Sequence, residues 1–212
     1  MLKFPVVSKF SIDQMWSDIQ INRIRSIDVG RDSFYRWSYY FIMKHVQSCR
    51  FDQDKESFEH FWQSIILVYS WMGRGILSDF SSTVERYKEA RLTIGEVQRT
   101  GHLDKNQLTS IVDVCNHSVV ACSKYLHFLR PDKFAIWDSR VCASIFGRRV
   151  HHYQINNIDN LLGYFDWIRS LPASGSSLDE ICTYLGIERS TGQLRAKEFV
   201  LFMSTAGAVV AD

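Results

Sequence analysis

The chain has 212 residues, 46% hydrophobic and 14% aromatic, enough apolar material for one large domain or two small lobes sharing a core. No stretch reaches the roughly 18 apolar residues that span a bilayer. The start, "MLKFPVVSKF", lacks the apolar core and cleavage site of a secretory signal, so a cytoplasmic protein without membrane contact is expected. A net charge of +2 neither marks nor excludes a nucleic-acid partner, because a basic face can sit on a nearly neutral body.

Few prolines and no long alternating runs predict an all-α fold. Apolar spacing places helices over 11–21, 33–49, 57–72, 82–92, 105–114, 118–129, 139–146, 157–170, 177–185 and 192–204. Ser11-x-x-Gln14, Ser82-x-x-Glu85 and Ser177-x-x-Glu180 each fit a capping box that satisfies free amides at a helix start. Gly73 and Gly75 in "MGRGIL" and the short loop at 171–177 divide the chain without forming long linkers. One compact two-lobed body over 1–212 follows, with 76–150 as one lobe and 1–75 packing with 151–212 as the other.

Within "RDSFYRWSYYFIMKHV" aromatics crowd out any polar stripe, so this helix is buried on most sides or lines a cleft. Phe34, Trp37 or Tyr40 is then a candidate for stacking against a base or ligand, Trp37 foremost. Five cysteines, Cys49, Cys115, Cys122, Cys142 and Cys182, are odd in number and include no C-x-x-C, a pattern of free thiols in a reducing compartment. Phosphate-loop, nucleophile-elbow and H-E-x-x-H motifs are absent. His151 and His152 are adjacent and have no carboxylate or thiol at ligand spacing, so neither a metal nor another cofactor is expected, and the two read as a surface pair beside Arg148 and Arg149.

The segment from Leu103 to Gly147 carries the most information. Leu108, Ile111, Val112 and Val114 outline one helix, and Cys115, Asn116 and His117 form a tight polar break. Val119, Val120, Cys122, Tyr125, Leu126 and Leu129 outline a second helix, which Pro131 ends. "DKFAI" is an extended connector, and Asp138 then caps a third helix carrying Val141, Ile145 and Phe146. An Asp cap stabilises a helix by roughly 0.5–2 kcal/mol, so Asp138 has a structural use whether or not it also borders a pocket. His127, between Leu126 and Phe128, is either a satisfied core histidine or a base beside that pocket.

This order of helix, hairpin, helix, connector and capping aspartate resembles the helix–hairpin–helix DNA glycosylase superfamily, most closely its oxidised-guanine branch. An ungapped match of "ACSKYLHFLRPDKFAIWDSRV" to that pattern puts the family's catalytic aspartate on Asp138. The resemblance implies a DNA partner, a hairpin at Cys115, Asn116, His117 and Ser118 whose amides grip phosphate, and a base pocket near Trp37, Trp137 and His127. The family's hairpin normally carries glycines, which are missing here, and the lysine nucleophile of its bifunctional members falls on Val119. Lys124 is the other candidate for that lysine, but five residues turn a helix by about 500°, leaving it about 140° from the direction of Val119. A monofunctional reaction is therefore implied, in which a damaged or modified base is flipped out and Asp138 stabilises the cationic sugar. The alternative is a non-catalytic helical module that binds nucleic acid or a protein.

Arg140, after the cap, and Arg148 and Arg149 in the basic loop "GRRVHH" are candidate phosphate contacts. Farther on, "NNIDNLLGYFDWIRSL" and "GQLRAKEFVLFMSTAG" are amphipathic helices that pack the second lobe, with Arg195 and Glu198 read as a surface ion pair at i, i+3. Between them "SLDEICTYLGIERSTGQLRA" fits a helix-turn-helix with Gln193 and Arg195 as base readers, or equally a packed helical hairpin.

Overall fold

The computed structural model of the chain describes residues 1–23, 29–51, 55–72 and 84–204. The Phe34 side chain, the Ser82–Glu85 capping box and the Gly73–Gly75 break lie outside the described residues. Those described form α1 Ile12–Arg23, α2 Val29–Ser48, α3 Lys55–Trp71, α4 Val84–Thr100, α5 Lys105–Val114, α6 Val119–Leu129, α7 Ser139–Phe146, α8 His152–Ile155, α9 Ile158–Ser170, α10 Gly175–Leu185 and α11 Arg189–Ser204. A 3-10 turn covers Val7–Lys9, and no strand occurs among these residues, so the fold is all-α as expected.

Helix starts follow the side chains available to cap them. Ser11 Oγ accepts from Gln14 N (3.2 Å). Asp104 and Gln107 make a complete reciprocal box at α5, in addition to the three expected. At α10 the cap is Ser174, which accepts from Ser177 N (3.2 Å), so this helix begins before the expected Ser177. Helix α4 also outruns its expected end at 92. Gly95 does not break it, because the chain at Phe51 crosses there and any Cβ on Gly95 would lie 3.0 Å from the Phe51 Cβ. Gly101, with φ of 68°, ends the helix by donating to Val97 O (2.8 Å).

Two helices form the interior. Nine of the eleven residues of α6 are buried, with α2, α3, α5 and α9 packed around it. The second is α11, buried from Leu194 to Leu201 beneath α1, α7, α9 and α10. This overturns the helix-turn-helix reading, since Arg195 faces the core and only a packed hairpin of α10 and α11 remains. It also overturns the surface pair: Arg195 and Glu198 are 2% and 1% exposed and form a buried ion pair. The reason is position in the fold, because a helix enclosed on several sides must pair its charges internally. Lys197 does so through backbone, its ammonium reaching Ile168 O (3.4 Å) and Arg169 O (3.3 Å) at the negative end of α9. Burial lowers its pKa.

His127 on α6 is fully buried, and both ring nitrogens are satisfied. Nδ1–H donates to Phe134 O (2.8 Å), so Nε2 accepts from the Tyr39 hydroxyl (2.7 Å). Burial, and then the nearby Arg195 guanidinium, pushes its pKa down to about 3 from 6.5. With the folded value below the unfolded one, the stability this site supplies is complete above pH 6.5 and is lost as pH falls toward 3. His127→Gln is expected to destabilise the protein at neutral pH while flattening the acid limb of its stability profile. The slope should change by up to roughly 1.4 kcal/mol per pH unit, read by urea unfolding across that window.

Candidate nucleic-acid interface

The connector from α6 to α7 is buried at Phe134–Trp137 and belongs to no helix or strand, and most of its backbone partners are side chains. Phe134 O accepts from His127, and Ile136 O from the Tyr164 hydroxyl (2.9 Å). Trp137 N donates to Ser123 Oγ (3.1 Å), and that hydroxyl also lies within hydrogen-bond reach of Trp137 O and Val120 O. The Trp137 indole N–H donates to Ile155 O (2.9 Å). Immediately after this pinned stretch comes Asp138, with φ of −148° and ψ of 179°. Its Oδ1 accepts from both Arg140 N and Val141 N (3.0 Å each), capping α7 as expected. Among the described residues nothing bonds Oδ2, and the side chain is half-buried. The carboxylate is close enough that, after burial, it helps push the Cys142 thiol and the Tyr164 phenol up.

The expected pocket residues do not gather here. Trp137 is fully buried, packed on Tyr164 at 4.8 Å between centroids and on Phe4 at 6.1 Å, and no ring face is left for a base. His127 is equally enclosed. Trp37 is 64% exposed on α2, stacked on Phe41 at 5.7 Å. Lys124 points toward α3, its ammonium 5.7 Å from the Trp71 ring centroid. Ser123 and Val119 share the α6 face that meets the connector, so the helical phase that turns Lys124 away from Val119 also turns it away from Asp138. Arg140 lies over the Phe202 ring (3.9 Å), holding its guanidinium against α11.

The break between α5 and α6 is a hairpin in which two consecutive non-glycine residues are left-handed, Asn116 at φ 53° and His117 at φ 52°. Cys115 is fully buried and turned inward, so it cannot touch a phosphate. His117 is exposed and 3.2 Å from Asp113. Ser118 caps α6 through Ala121 N (3.2 Å). Asn156 latches the turn from outside: its Oδ1 accepts from Val119 N (2.8 Å) and its amide donates to His117 O (3.0 Å). With Val119 N and Ala121 N already engaged, an anion at this helix start would find only the Val120 amide among the first three. Backbone grip of phosphate, as implied by the family pattern, is thus reduced to that one amide and the exposed tip.

Because Asn156 ends α8, the same latch ties the hairpin to the basic loop. Gly147 takes the left-handed form (φ 61°) that ends α7. Arg148, Arg149, His151, His152 and Tyr153 are then exposed around a buried Val150. Neither arginine has a partner among the described residues. Hairpin tip and basic loop are therefore neighbours, and Arg148 and Arg149 bring the positive charge to this edge. Sequence reasoning picked out its arginines and histidines but missed Ser123, Tyr164 and Asn156. Of these only Ser123 carried a signal, a hydroxyl one turn before His127 on a largely apolar helix.

Two open grooves of about 560 and 620 Å³ lie elsewhere, both lined by Cys49, Arg50 and Gln98, and neither is lined by Asp138. Among the described residues no group of His, Cys, Asp and Glu is placed to hold a metal, and no helix is long and apolar enough to cross a membrane. No protein-family model, curated protein or solved structure matches the chain.

The left-handed hairpin is testable by itself. Asn116→Val should cost about 1–2 kcal/mol, the ordinary penalty of that backbone region for a side chain with a crowded Cβ. Asn116→Gly should stay within about 0.5 kcal/mol of the parent. Urea titration of the three proteins gives the comparison.

Proposed function

We propose that this chain is a DNA-binding protein of base-excision type, with Asp138 as its reactive carboxylate and the edge formed by the hairpin tip and 148–153 as its DNA contact. The observation that carries this is the state of Asp138. One oxygen is fixed by two amides at a helix start, the other is open, and the chain leading to it is pinned by His127, Ser123 and Tyr164. A cap needs only Oδ1. The open Oδ2, held at a fixed angle, suits a group that stabilises positive charge on a sugar as an N-glycosidic bond to a flipped-out base lengthens. Val119 at the lysine position supports hydrolysis by water over a Schiff-base route.

A second reading is favoured by the hairpin itself. With Val119 N and Ala121 N occupied from within, the protein has given up part of the phosphate grip of an excising enzyme, as a non-catalytic nucleic-acid binder would.

Incubation with duplexes carrying a panel of modified bases, followed by alkaline cleavage at abasic sites, separates the two. Under the first reading the parent protein releases at least one base, and Asp138→Asn slows that release about 10²-fold or more with duplex affinity kept. Release of no base by the parent protein defeats it and leaves the binding module. On either reading Arg148→Ala with Arg149→Ala lowers the slope of log affinity against log salt by about 2, one unit for each lost phosphate contact. An unchanged slope removes these arginines from the interface.

A further inference from the structure

We infer that Tyr153, with His151 beside it and Arg148 and Arg149 before it, forms a stacking platform for an unpaired base of a single-stranded nucleic acid. This rests on the nucleic-acid reading above and goes past it in naming the form of the ligand. Tyr153 is 71% exposed, more than any other described large hydrophobic side chain except Met1. Its ring lies almost parallel to that of His151, at 5.6 Å between centroids and 12° between planes. The two rings stack on each other outside the core, which leaves the outer face of the exposed Tyr153 ring for a further ring.

Their support is fixed. Val150 and Ile155 are both buried, anchoring the segment on either side of the rings, and the Asn156 latch holds its end. Arg149 lies four residues before Tyr153, at most about 14 Å between Cα atoms, so a base on the ring and a phosphate on the guanidinium can belong to neighbouring nucleotides. Stacked, paired bases in a duplex hide their faces from an exposed ring. Unpaired bases offer them, and basic side chains next to an exposed aromatic are the combination that binds single strands. Arg148 and Arg149 supply unpaired positive charge on the same segment.

Fluorescence-anisotropy titration with a labelled oligo-dT strand, an oligo-rU strand and a duplex of matched length, using the full chain, tests this. Tyr153→Ala should weaken binding to single strands roughly ten-fold while Tyr153→Phe, which keeps the ring, stays within about two-fold of the parent. Duplex affinity, which rests on the Arg148 and Arg149 charges, should fall less than single-strand affinity in Tyr153→Ala. Tyr153→Ala is made at an exposed position, and circular dichroism verifies that its fold is intact. Loss on dT and rU alike means the platform takes either polymer, and loss on one alone names the polymer it takes. Single-strand affinity unchanged by Tyr153→Ala, or equally weak binding by Tyr153→Phe, overturns the inference. Duplex binding without single-strand binding overturns it too but leaves the reading of Asp138 intact. No binding to any of the three removes both.

Discussion

An extended segment that enters a protein interior must satisfy every amide and carbonyl it buries, and residues 134–137 have no neighbouring strand to do this. Their solution governs much of the rest. Phe134 N reaches back to Arg130 O, and the other bonded groups take buried polar side chains, which explains a histidine and a serine on α6 and a tyrosine on α9 pointed at the same chain. Each of these is costly to bury alone and inexpensive once bonded to backbone. The resulting mutual dependence fixes α6, α9 and the connector relative to one another, and α7 starts where that assembly releases the chain.

Charge is handled in the same way in α11. Arg195 and Glu198 neutralise each other, Arg195 also faces the rings of Tyr39 and Phe199, and Lys197 settles on the carbonyl end of α9. The molecule thus has a polar interior thread running from α2 through α6 to α11, inside a core that is otherwise aliphatic and aromatic. Replacing members of such a thread singly leaves a partner stranded, so its residues act as a set.

The helical class and most helix positions were legible because periodicity is a local property. Helix α7 matches its expected bounds, and Pro131 and Gly186 mark breaks where they should. Legibility failed where tertiary contact decides. Helix α4 runs past its expected end at 92 and through Gly95, where Phe51 crosses it. Arg195 and Glu198 read as a surface pair because i, i+3 spacing says nothing of what covers the helix. At the site, Asp138 as a cap was readable from its place before an apolar run. The inward turn of Trp137 was not, since an aromatic beside a carboxylate fits a pocket wall and a core equally well. Asn156 was invisible because its partners lie 37 and 39 residues away.

That asparagine has a mechanical consequence. By bonding both sides of the hairpin tip from the end of α8, it fixes the spacing between the hairpin and the segment that precedes α9. Two segments preset in this way lose little further freedom if anything binds across both, because their ordering was settled when the chain folded.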